Sequence, residues 1–166
     1  MQDSSSPGRV AVAGPHPRIP SHRRNGDVSA GMIERRFPRE IRSLESIVGF
    51  VNEFFAARGI GPDQAFDVHL IIEELFTNMV KYSRESHEDI ALELGWIAPD
   101  LTIRLRDFGV EPFDVTKPRD VEVERPVEDR RRGGLGLRIV REIADRLEYR
   151  WADRVSTITV TKRLEV

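Results

Sequence analysis

The sequence predicts an α+β fold, a two-layer sandwich with three helices on one face of a mixed, mainly antiparallel sheet. Three observations carry that prediction. Two helix-period stretches lie early in the chain, at residues 40–58 and 62–82. Strand-period segments come in sequence-adjacent pairs, as hairpins do. A third helical stretch separates those pairs.

Residues 1–30 are rich in Ser, Pro, Gly and Arg and too poor in apolar residues to bury a core, so they read as a disordered leader before a domain spanning residues 31–166. Ile33 to Phe37 is a short strand candidate ended by Pro38. From Glu40 to Arg58, Ile41, Leu44, Ile47, Val48, Val51, Phe54 and Phe55 follow helical steps, and Gly59 supplies the C-cap. Pro62 and Asp63 suit the first turn of a second helix, which runs to about Tyr82. Asp89 to Trp96 and Leu101 to Arg106 alternate with period two and flank the turn Ala98-Pro99-Asp100. A long charged segment, Glu111 to Arg132, leads to Gly133-Gly134-Leu135-Gly136-Leu137 and a third helix. Leu147 to Trp151 and Thr157 to Lys162 are the last strand candidates.

Composition narrows the functional classes. Of 166 residues, 39% are hydrophobic and 33% charged, which suits one domain with a real core. A formal net charge of −2 gives no global basic field for nucleic acid or an anionic membrane. The absence of cysteine excludes disulfides and thiolate metal sites and agrees with a reducing compartment. No apolar run spans a bilayer and the N-terminus lacks secretory character, so a cytoplasmic protein with no membrane partner is expected.

Three motifs carry chemistry. Glu74 and Asn78 stand four residues apart, one turn apart on a single helix face, where they can serve one site. By themselves they read first as a solvated pair. Gly134, Leu135 and Gly136 open a helix, where unpaired N–H groups and the helix dipole favour an anion and glycine lets phosphate approach the backbone. A tight turn explains them equally well. Neither a dinucleotide fingerprint nor a Gly-x4-Gly-Lys-Ser/Thr loop is present. Asp107-Phe108-Gly109 spells a protein-kinase element, yet no His-Arg-Asp loop precedes it and the glycine-rich run follows it. The aspartate could instead accept a hydrogen bond from an adenine amino group, or simply start a turn.

Their order is more specific than any one of them. Glu74-x3-Asn78, Asp107-x-Gly109, a long charged loop, Gly134-x-Gly136 at a helix start and a threonine-bearing final strand resemble the Bergerat ATP-binding fold of DNA gyrase, sensor histidine kinases and mismatch-repair ATPases. Within it, E-E-L-F-T-N-M-V-K-Y and R-R-R-G-G-L-G-L-R-I-V look most like bacterial anti-sigma factors that are also serine protein kinases. The resemblance implies ATP and Mg²⁺ as cofactors, with Asn78 as the metal ligand and Glu74 as the catalytic base. With it, Asp107, Gly109 and Thr157 are expected at adenine and Gly134, Leu135 and Gly136 at phosphate. Residues 111–132 read as a lid, in which Arg131 and Arg132 are first a solvated charge run and in the second place candidates to reach the phosphates. The resemblance further implies a sigma factor and an antagonist protein as partners, a homodimer, and no direct nucleic-acid contact. A non-catalytic ATP-binding switch of the same fold is the alternative.

Overall fold

The computed structural model describes residues 31–83, 85–112, 114 and 136–165. The expected leader, Gly134, Leu135, Arg131, Arg132 and most of the expected lid lie outside them. Strand β1 (Ile33–Phe37) precedes helix α1 (Ser43–Arg58), a 3-10 turn (Pro62–Gln64) and helix α2 (Ala65–Tyr82). Strands β2 (Ile90–Ile97) and β3 (Asp100–Phe108) form a hairpin. Residues 136–143 are helical, here α3, and β4 (Arg146–Ala152) and β5 (Val155–Arg163) form the second hairpin. The sheet order is β1-β2-β3-β5-β4. All four pairings are antiparallel, so the mixed character expected from the sequence is absent among the described residues.

Each boundary has a local cause. Helix α1 starts at Ser43 rather than Glu40 because turns hold the segment after Pro38: Ser43 Oγ donates to the Pro38 carbonyl at 2.8 Å and the Ser43 amide donates to the Glu40 carbonyl at 3.0 Å. The helix ends where Gly59 takes a φ of 66°, while the Ile60 amide reaches back to the Phe55 carbonyl at 3.0 Å. Asp153 and Arg154 both have positive φ, 52° and 59°, as a two-residue hairpin between right-twisted strands demands.

Period-two alternation divides the sheet into two unlike faces. On the helix side Ile90, Leu92 and Leu94 of β2, Ile103 and Leu105 of β3, and Ile158 and Val160 of β5 are buried against Val51, Phe54, Ile71, Leu75 and Phe76 of α1 and α2. Full burial of each such side chain contributes about 1.5–3 kcal/mol. The other face is polar: Glu93 pairs with Arg104 at 3.0 Å and Arg106 at 2.6 Å, next to the run Thr157, Thr159 and Thr161. This two-faced sheet decides which side chains can meet the helices.

Candidate functional site

Helix α2 buries Ile71, Ile72, Leu75, Phe76 and Met79, which fixes its rotation about its own axis. With that rotation Asn78 points inward and is only 6% exposed, Glu74 is half-buried, and Glu73 faces solvent. Among the described residues Asn78 Nδ2 has no hydrogen-bond partner, so a nine-tenths buried amide keeps one polar end for something else. The Glu74 carboxyl is pushed above the ordinary glutamate value, first by burial and then by the neighbouring Glu73 charge, with Lys81 opposing. The pair is therefore not solvated decoration.

Gly136, at the start of the described part of α3, sits directly against that carboxylate: a Cβ there would overlap Glu74 Oε2 and Cδ. A larger residue here would need the Glu74 carboxylate, the far end of a flexible side chain, to leave its present place. Hence the Glu74 carboxylate and Gly136, 62 residues apart in the chain (136 − 74), occupy one place. Gly134 and Leu135 lie outside the described residues.

Asp107 stands on β3 with its side chain on the helix side of the sheet and is 1% exposed. Arg39, from the turn after β1, grips it with both terminal nitrogens: Nη2 donates to Oδ1, and Nη1 donates to Oδ2 at 3.3 Å. Nη1 also donates to the Met79 carbonyl at 3.2 Å and the Ser83 carbonyl at 3.4 Å, the last turn of α2. Arg39 thereby joins Asp107 to the helix that carries Glu74 and Asn78. Beyond Asp107 the chain turns at Gly109, whose φ is 67° and whose missing Cβ leaves room for Glu88 Oε1 and Ser86 Oγ. Ser86 Oγ donates to the Phe108 carbonyl at 2.6 Å, and the Glu111 amide donates to Glu85 Oε1 at 3.2 Å. The α2–β2 connection is thus stapled to the Asp107-Phe108-Gly109 turn.

Thr157 stands apart from Asp107 and Asn78. It pairs with Arg106, not Asp107, and so projects from the polar face, away from the helices. The residue opposite Asp107 is Ser156, 5% exposed and on the helix side. A one-residue step along a strand exchanges faces, and the sequence pattern of Thr157, Thr159 and Thr161 concealed it. The available signal was the alternation itself: Ile158 and Val160 face the core, so Ser156 must as well. Arg39 gave no periodic signal, since it lies in a turn.

Among the described residues there is no group of three or more His, Cys, Asp or Glu side chains able to hold a metal alone, and no helix is long and apolar enough to cross a membrane.

The family model described as histidine kinase-like ATPase domain matches residues 37–162. The serine-protein kinase RsbW of Bacillus cereus is 29% identical over 112 residues, covering 64% of this chain and 69% of that protein. RsbW of Bacillus anthracis matches to the same extent, 29% over 112 residues. Two solved structures share the fold. The RsbU and RsbW domains of a Mycobacterium tuberculosis protein superpose with a TM-score of 0.56 at 15% identity, over 80% of this chain and 32% of that one. The SiaB–SiaC complex of Pseudomonas aeruginosa does so with a TM-score of 0.52 at 14% identity, over 80% of this chain and 88% of that one.

Proposed function

The chain belongs to the histidine kinase-like ATPase domain family, and from that premise we propose that it is an ATP-dependent anti-sigma factor that binds a sigma factor and phosphorylates a serine of its antagonist protein. The observation that carries the transfer step is the Glu74 carboxylate held against Gly136 beside a buried, partly unpaired Asn78. The serine-protein kinase relatives and the solved SiaB–SiaC complex support the reading of a kinase with a protein partner.

In this reading the Asp107 carboxylate accepts a hydrogen bond from the adenine amino group, with Ser156 beside it, and Gly109 lets the backbone lie close to the base. The α3 start receives phosphate through main-chain N–H groups, Gly134 to Gly136 being the glycines that permit the approach. Asn78 would hold Mg²⁺ through its amide oxygen, a hard donor on a buried side chain whose Nδ2 has no partner among the described residues. When bound, Mg²⁺ neutralises charge on the phosphoryl group. A cage of carboxylates would not be needed, since Mg²⁺ is commonly held by few protein ligands. Glu74 accepts the proton of the incoming serine hydroxyl as its oxygen forms a bond to the γ-phosphorus and the bond to the ADP oxygen breaks. A carboxylate with raised proton affinity is better fitted to take that proton than an ordinary one.

Incubation with γ-labelled ATP and candidate antagonist proteins tests this directly, the label being assigned by its stability: phosphoserine survives acid and is lost in base, and phosphohistidine does the reverse. Label on histidine would make the chain the catalytic domain of a sensor kinase, and tight ATP binding without transfer would make it a nucleotide-operated switch. Asn78→Ala should lower ATP affinity at least about tenfold in Mg²⁺, as loss of a contact to a charged group does, and change it little in EDTA. Equal loss in both conditions removes the metal-ligand role.

A further inference from the structure

Arg39 is the residue whose placement the proposed phosphoryl transfer does not use. Its side chain is 91% buried (100 − 9), and the guanidinium meets four oxygens: both of Asp107, and the carbonyls of Met79 and Ser83. Burying a guanidinium and a carboxylate is expensive, and it is tolerated where geometry and additional hydrogen bonds compensate. Here the fork holds the carboxylate plane in one orientation, because two nitrogens on a rigid frame take its two oxygens.

That orientation has a chemical meaning. A carboxylate accepts about four hydrogen bonds, two at each oxygen. The Arg39 fork takes one at each, which leaves one lone pair on each oxygen, in the carboxylate plane and directed by the fork. A base amino group must meet such a lone pair within a narrow angular range. Without Arg39, the Asp107 carboxylate would be a buried charge lacking its cation and the fork that orients it.

We propose that Arg39 is the positioning residue of base recognition: by orienting Asp107 and tying it to the last turn of α2, it sets the preference for a purine with a 6-amino group. Arg39 acts through Asp107 and does not touch the nucleotide. The inference rests on the ATP-binding reading above, and it adds that the base end and the Glu74–Asn78 helix share one anchor.

The test compares ATP with purine riboside triphosphate, which lacks only the 6-amino group. Binding of each is measured by calorimetry to the full-length protein, to Arg39→Met, which keeps the apolar stem, and to Arg39→Lys, which keeps a cation but loses the fork. Wild type is expected to prefer ATP by about tenfold or more, the value of a hydrogen bond to a charged group. In Arg39→Met the preference falls to about twofold or less, with a smaller change for the analogue; Arg39→Lys falls between. A purely structural Arg39 would lower the melting temperature and weaken both ligands alike, and an unchanged ATP-to-analogue ratio in the variants overturns the proposal. Should Arg39→Met not fold, the ratio in Arg39→Lys decides in the same way. A wild type that binds both ligands equally also overturns it, leaving ATP binding intact. A wild type that binds neither overturns the nucleotide reading and this proposal together.

Discussion

In the proposed function Glu74 is the residue on which kinase and switch divide, and its environment makes a prediction in pH. Because burial and Glu73 raise its proton affinity in the folded chain, the folded state binds this proton more tightly than the unfolded chain does. Its contribution to stability is therefore fully present below about pH 4.5, the unfolded value. It is lost as pH rises through the higher folded value. Glu74→Gln stays neutral and escapes that loss. Thermal melts should show the variant at or above wild type at pH 8, with the gap closing toward pH 4; a variant less stable at pH 8 would contradict the burial argument. In the labelled-ATP assay the same variant should bind ATP and lose transfer by about 10²–10⁴-fold, as removal of a general base does. The acid limb of the wild-type pH–rate profile should lie above the ordinary glutamate range.

At the scale of elements, two placements make separate predictions. Strand β5 sets Ser156 beside Asp107 and Thr157 on the far face. Ser156→Val should therefore weaken ATP binding several-fold, in line with roughly 0.5–1.5 kcal/mol for one hydrogen bond, whereas Thr157→Val should leave it unchanged. The reverse result, read by nucleotide titration, would require a register shift of one residue. The packing of α3 against α2 is equally specific. Gly136→Ala forces a shift between the Glu74 carboxylate and the α3 start, so ATP binding and transfer should both fall. Adding Glu74→Ala removes the colliding atoms and should restore binding but not transfer. Failure of the second change to rescue binding would mean that α3 and α2 are not in this contact when nucleotide is bound. Helices and strands were legible here because their apolar periods are strong: Phe54, Leu75, Ile103 and Val160 are all buried where the pattern placed them. Boundaries were less so. The late start of α1 depends on hydrogen bonds to Pro38 and Glu40 carbonyls, which no periodicity encodes.

Across the whole molecule, nucleotide binding and folding should be linked, since a ligand of the folded state alone stabilises it. ATP with Mg²⁺ at a hundred times its dissociation constant should add about 2.7 kcal/mol, raising the melting temperature by roughly 5–10 °C for a domain of this size. No shift at saturating ATP would remove the nucleotide from the proposed function. The sequence by itself determined the α+β class, the helix carrying Glu74 and Asn78, and the order of the Asp107 and Gly136 motifs, because periodicity and motif spacing are local properties of a chain. Only the tertiary structure decided that Gly136 lies on Glu74, that Ser156 rather than Thr157 stands beside Asp107, and that Arg39 holds Asp107 to the end of α2. Those three facts join residues 62, 49 and 68 positions apart (136 − 74, 156 − 107, 107 − 39). They depend on strand register and on the backbone separation at which α2, α3 and the sheet pack, quantities that exist only once the chain has folded onto itself.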